Sequence, residues 1–497
     1  MYMYTPGDGT GSQYPLRGTL IRNGEFPTVS RNTYIGLPNW NTVGGKEAMI
    51  EYLFKHSFNN YVSFSQNFRW ERSDYTTKDA YFNTMESATE EQVRPWAYHT
   101  QDNTIGLDNR IFGKFSTGPL QHTWVVGSDF RSYSYSQNTL YDRGTAPIIN
   151  IYNPSSNYTP CFNIKSSDCQ VRGSNGSYDY FQEGVYFQDQ IKWKKLSVII
   201  GGREDWVNYN SKSIAHSNIN TGGIVTTTET KNAPQPAHAF TWRGGILYSF
   251  DFGLTPYFSY STSFIPQTST DYQGQPFSPL TGKQLEAGLK YKIPNKDVLI
   301  TAAAFHIDED HYLISDLVHT GFSTDGGRVR SQGFEVSANA NITKDLRLVA
   351  SYTYNDIRFA KTNKTSERYN PYTDANYGTA ISQAGMSVPY VPRNMFSIFA
   401  DYTLPRNIAK GFGLNWGMRY VGFTYIDNVE SFKTKPYALF DIGAHYDFGS
   451  HFPYLRGLKA QISISNLTNK YYVTSCATSI CYVGQGRKAY GNITYNW

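Results

Sequence analysis

Hydrophobic and polar residues alternate with a period of two along much of this chain. The last ten residues show it best. Ala489, Gly491, Ile493, Tyr495 and Trp497 fall on one face, and Lys488, Tyr490, Asn492, Thr494 and Asn496 on the other. Leu346, Leu348, Ala350, Tyr352 and Tyr354 likewise oppose Arg347, Val349, Ser351 and Thr353. Phe258, Tyr260, Thr262 and Phe264 alternate with serines, and Ala460, Ile462 and Ile464 with Gln461, Ser463 and Ser465. Period two is the signature of a strand with one apolar and one polar side. No segment keeps a 3.6-residue period over four turns, so very little helix is expected. Strands of this kind, closing on a terminal aromatic residue, fit an all-β fold. The expectation is a transmembrane antiparallel β-barrel of the outer-membrane type, apolar to lipid and polar to the lumen.

The connections alternate in length. Short ones are expected near 58–60, 117–119, 194–196, 251–253, 292–297, 341–344, 405–411 and 448–457. Long ones are expected near 74–101, 137–178, 210–238, 265–280, 314–328, 358–392, 426–436 and 467–487. Short periplasmic turns facing long outer loops are the asymmetry of bacterial barrels. About 17 strands follow from this spacing. Single-chain bacterial barrels have an even number, with both ends in the periplasm. Counting back from a periplasmic C-terminus places Met1 in an outer loop, so the chain is expected to lack its beginning.

Composition supports the same class. Hydrophobic residues make up 39% of the chain and mean hydropathy is −0.50. No run approaches the roughly 20 apolar residues of a membrane helix. The 41 Tyr and 9 Trp suit a boundary that is apolar on one side and wet on the other. A secreted, Tyr-rich β-protein that binds glycans is the rival reading. The net charge of +5 comes from mixed charges with no basic block, which argues against nucleic acid as a partner. The four cysteines permit three pairings. The local pairs, Cys161 with Cys169 and Cys476 with Cys481, are favoured because each lies in a polar loop, and they imply an oxidising compartment. Met1–Asp8 has neither the basic start nor the apolar core of a signal peptide.

No motif here supports an enzyme. His306, Asp308 and Asp310 share a strand face, but the stretch reads as a lumenal or rim charge cluster rather than a metal site. Gly321–Gly327 is glycine-rich without the following helix that a phosphate cradle needs, so a loop is expected there. There is no nucleophile elbow.

An ordered series of runs resembles the TonB-dependent siderophore receptors, closest to the ferrichrome and ferric-hydroxamate group. The series includes Gly184-Val-Tyr-Phe-Gln-Asp-Gln190, Gly201-Gly-Arg-Glu-Asp-Trp206, Phe240-Thr-Trp-Arg-Gly-Gly245 and Thr255–Phe264. It continues with Gly282–Tyr291, Val391-Pro-Arg-Asn-Met395, Asn466-Leu-Thr-Asn-Lys-Tyr-Tyr472 and the terminal strand. The resemblance implies a 22-stranded barrel, an N-terminal plug and a TonB box, so that about 17 strands are present here. Residues 1–45 would be an outer loop with the end of a missing strand, and 46–497 the barrel domain. It also implies an outer-membrane receptor that imports a ferric siderophore, holds no cofactor, and meets iron only inside that complex. Lipid, the inner-membrane TonB complex through the missing region, and phage or toxins at the outer loops are the further partners implied. A passive or vestigial pore, or a receptor for another ligand, is the alternative.

Carried over by position, Tyr2, Tyr4, Tyr81, Phe82 and Tyr141 match aromatic ligand contacts of the hydroxamate group. Ser475–Tyr482 resembles its disulfide-bearing last loop, but Ala477 stands where the ferrichrome receptor has an aromatic residue, and Tyr482 is the candidate replacement. Trp497 takes the family's place in barrel closing and assembly.

Overall fold

The structure, a computed structural model, describes residues 2–8, 13–267, 271–273, 275, 277–316 and 323–497, without the side chains of 2–8, 231–235, 315 and 406. Met1, Gly321 and Phe322 therefore lie outside the described residues.

Among the described residues, one antiparallel sheet of 19 strands makes up the wall. Each long strand pairs with the next in the chain, from Tyr2–Asp8 on Thr42–Ser57 through to Leu458–Ser465 on Lys488–Tyr495. Among the described residues, helix is confined to Arg406–Ala409 and two three-residue 3-10 turns.

The two faces of the sheet differ as the alternation requires. Tyr52, Phe54, Val126, Val185, Phe187, Phe240, Leu285, Phe334 and Ile493 stand exposed on one side. A continuous apolar belt of this kind is stable only against lipid. The opposite face carries ion pairs. Arg203 reaches both Asp129 and Asp205, and Tyr186 donates to Asp108 at 2.6 Å. His306, Asp308 and Asp310 do share a face, with Asp308 paired to Arg330 at 2.8 Å. Cross-strand register puts them in line with Leu285 and Phe334, so they form a charged rim on the outer surface.

The short turns fall where expected, at 58–61, 118–119, 194–195 and 293–296 among others. The outer side differs from expectation. Segments 74–101 and 210–238 are mostly strand: Val62–Met85 and Glu90–Thr117 meet across 86–89, and Leu196–Ser217 and Thr226–Tyr248 across 218–225. Ser323–Gly327 opens a strand rather than lying in a loop.

The water-excluding cores are at the outer mouth. Residues 13–41 form a strap that spans it. Tyr14 and Pro15 pair with Cys481 and Ile480 of the last outer loop. Farther along, Val29, Ile35 and Leu37 pack with Ala80, Val93, Ile149 and Ile151. Leu16 and Leu20 pack with Ile426, Val473, Cys476 and Cys481. A single strap thus touches both the third and fourth wall strands in chain order and the loop leading into the last, which requires the sheet to be rolled.

Both expected disulfides are present, Cys161–Cys169 and Cys476–Cys481. Cys476 and Cys481 are fully buried. Replacing both by serine is expected to cost the last loop about 2 kcal/mol. Protease nicking of 466–487 should then rise, while the heat-dependent gel mobility of the barrel stays put.

Candidate functional site

On the lumen face, just below the mouth, lies a recess of about 600 Å³, within the range of small-ligand sites. Neighbouring strands build it by register. Tyr81 stands opposite Arg94, Trp96 opposite Tyr141, and Tyr141 opposite Arg172. Arg143 follows as its strand ends, and Ser174 and Ala215 close the far side. The Tyr81 and Tyr141 rings meet nearly at right angles, 6.3 Å apart. Trp96 lies almost parallel to Tyr141 at 6.4 Å and to Tyr98 at 4.8 Å. Gly173 serves the packing on the outer face behind the recess, where Leu140 and His216 flank it. A Cβ there would come within 2.7 Å of Leu140 and 2.9 Å of the Thr139 carbonyl oxygen. The result is an aromatic wall with guanidinium groups at its edge.

Below the recess the lumen face continues as a ladder of tyrosines. Tyr133 and Tyr135 lie 5.4 and 5.1 Å from Tyr178, and Tyr178 is 5.5 Å from Tyr209. Asp102 accepts from Tyr133 and, at 2.8 Å, from Ser73. A second recess of about 720 Å³ opens there, lined by Glu51, Glu71, Asp102, Asp108 and Asp129 along with Arg69 and Arg131. A neighbouring recess on the same face carries Arg110, Arg203 and Arg243 beside Asp108 and Asp129, so the acidic excess is confined to the recess of about 720 Å³.

Two carboxyls in the mouth are pushed up by burial. Asp79 is raised to about 6, with the Ala80 N–H opposing the shift. Glu91 is raised to about 9, and its Oε2 is buried without a hydrogen-bond partner. Among the described residues, no group of three or more His, Cys, Asp or Glu is arranged to hold a metal ion.

Of the residues singled out in the sequence, the structure brings together Tyr81 and Tyr141. Phe82 follows Tyr81 on the strand and so projects from the other face; its N–H donates to Gln13 Oε1 at 3.0 Å. Gln13 Nε2 donates in turn to the Tyr482 hydroxyl at 3.4 Å. Tyr482 therefore sits in the last loop, away from the recess but tied to the same hairpin through one side chain. Tyr2 and Tyr4 pair through the backbone with Ala48 and Lys46, and their side chains lie outside the described residues. Trp497 is fully exposed, 6.3 Å from the Tyr495 ring. Sequence reasoning missed Trp96, Arg143 and Arg172. The spacing of Trp96 and Tyr98 was the available signal, since residues two apart on a strand share a face.

A family model described as TonB dependent receptor-like, beta-barrel, matches residues 2–467. The ferrichrome outer membrane transporter/phage receptor of Escherichia coli K12 is 31% identical over 518 residues, covering 99% of this chain and 64% of that protein. The ferrioxamine B receptor of Salmonella typhimurium LT2 is 28% identical over 495 residues, with the same coverage of each chain. This chain thus spans about 64% of the length of these relatives. The solved structure of the ferric-catecholate import receptor Fiu of Escherichia coli K12, in its closed form, superposes with a TM-score of 0.80 at 18% identity. It covers 99% of this chain and 71% of that one, which shows a shared fold. The two-faced wall, its short and long connections and a match that runs nearly end to end place this chain in the TonB-dependent receptor β-barrel family, a family of outer-membrane receptors and not of enzymes.

Proposed function

We propose that the whole protein is a TonB-dependent receptor that imports a ferric siderophore of the hydroxamate type across the outer membrane. The observation that carries this reading is the recess of Tyr81, Trp96 and Tyr141 on the lumen face at the outer mouth. Such a complex arrives with its iron already held by hydroxamate oxygens. It asks the protein for flat apolar contact and a few donors, not for metal ligands. Aromatic side chains give that contact at small entropic cost because few torsions are frozen. The identity to ferrichrome and ferrioxamine B receptors supports the hydroxamate class. Energy for release would come from the inner-membrane TonB complex acting on the whole protein. Attachment of phage or toxins to the outer loops belongs to the same proposal.

The test is a titration of the natural gene product in detergent with ferric trishydroxamates, followed by quenching of intrinsic tryptophan fluorescence. Saturable binding at or below micromolar concentration is expected. Binding of a ferric triscatecholate with none to any hydroxamate would overturn the substrate class.

A further inference from the structure

The recess at the mouth is lined by cationic groups and by no anionic one. Arg143 and Arg172 line it, no carboxylate does, and neither guanidinium has an ion-pair partner among the described residues. Trp96 Nε1 is buried with no hydrogen-bond partner. Arg94, across the ladder from Tyr81, spends one nitrogen on the Gly144 carbonyl at 2.9 Å, and its Nε is likewise buried and unpartnered. The nearest buried acid in sequence, Asp142, is already occupied by the Tyr158 hydroxyl at 2.6 Å, the Cys161 N–H at 2.9 Å and the Gly144 N–H at 3.0 Å. Those donors are neutral and leave its charge in place, but Asp142 follows Tyr141 on the strand and so projects from the other face of the wall. Arg172 is exposed and Arg143 half-buried; together with the two buried, unpartnered N–H groups beside them they favour a ligand that brings negative oxygens. Guanidinium groups suit carboxylates in particular, which they grip through two parallel bonds.

A ferric trishydroxamate core is uncharged, because three monoanionic hydroxamates offset Fe³⁺. Its periphery decides the net charge. We propose that this receptor selects ferric hydroxamates bearing a peripheral carboxylate, with Arg143 and Arg172 as the groups that read it and the Tyr81, Trp96 and Tyr141 rings packed on the hydrocarbon. The inference rests on the function proposed above and narrows its substrate class. The acidic recess lower in the lumen has the opposite sign and supplies the competing outcome: a ligand with a free amine seated there.

One linear ferric trishydroxamate, prepared with its terminal amine free, acetylated or succinylated, separates these cases. The expected order of affinity is succinylated, then acetylated, then free amine, with about tenfold between the extremes. In the Arg143→Gln/Arg172→Gln variant the ratio of succinylated to amine affinity should fall to about one. The Arg143→Lys/Arg172→Lys variant, which keeps the charge, should retain part of it. Equal affinities in the unaltered protein, or tightest binding of the amine form, would overturn the proposal and leave the hydroxamate reading standing. Binding of none of the three would remove both.

Discussion

Replacing Trp96 and Tyr141 together by alanine is expected to weaken binding of a ferric hydroxamate on the order of 100-fold. A well-packed aromatic anchor in a binding site is worth about 2 kcal/mol or more when truncated, and 1.4 kcal/mol is a factor of ten. The two rings lie 6.4 Å apart and share one wall, so their effects will not simply add. Trp96→Phe keeps the flat face and loses the indole N–H, and an intermediate loss is expected. Phe82→Ala provides the contrast, because its side chain leaves the strand on the other face; a change of no more than about threefold is expected. Uptake of radioactive iron by cells and fluorescence titration of the purified receptor both read these effects. Undiminished binding in the double variant would remove the recess from the site.

Glu91→Gln is expected to strengthen the outer mouth at neutral pH, by up to about 3 kcal/mol. Burial among Val93, Ile149 and their neighbours raises the Glu91 carboxyl from its ordinary value near 4.5 to about 9. At pH 7 the folded loop keeps it protonated, whereas the unfolded loop would ionise it. Folding therefore takes up a proton. The stability is complete below about pH 4.5 and drains away as pH rises toward 9. Glutamine has the same shape with no proton to lose, so the variant should show little of this slope. Protease resistance of the outer hairpin, measured from pH 5 to pH 9, checks the expectation. Parallel profiles for the two proteins would refute it.

The wall was readable because lipid imposes a strict rule on every second residue. Turns such as 118–119 and 194–195 fell within a residue or two of where alternation stopped. The outer hairpins were not readable in the same way. Beyond the bilayer, strands such as Val62–Met85 continue with polar residues on both faces, for example Arg72 and Ser73, because ladder hydrogen bonds no longer need an apolar side. That stretch has the composition of a loop and the backbone of a sheet. The recess suffered from the same ambiguity. Tyr81 and Tyr141 were found by resemblance, but Trp96, Arg143 and Arg172 become neighbours only through cross-strand register, which no local pattern in a polar segment specifies. The face shared by His306, Asp308 and Asp310 was legible, and its direction was not, because charges at the rim are solvated on either side.

The cores around Leu37 and Ile426 lie outside the bilayer, while the wall within it is stitched by interstrand hydrogen bonds. Those two kinds of cohesion respond oppositely to chilling. Burial of oily surface from water loses its driving force as temperature drops, whereas an amide pair in hydrocarbon has no solvent to defect to at any temperature. The molecule is thus two thermal materials joined end to end, and refrigeration should slacken its gateway long before its tube.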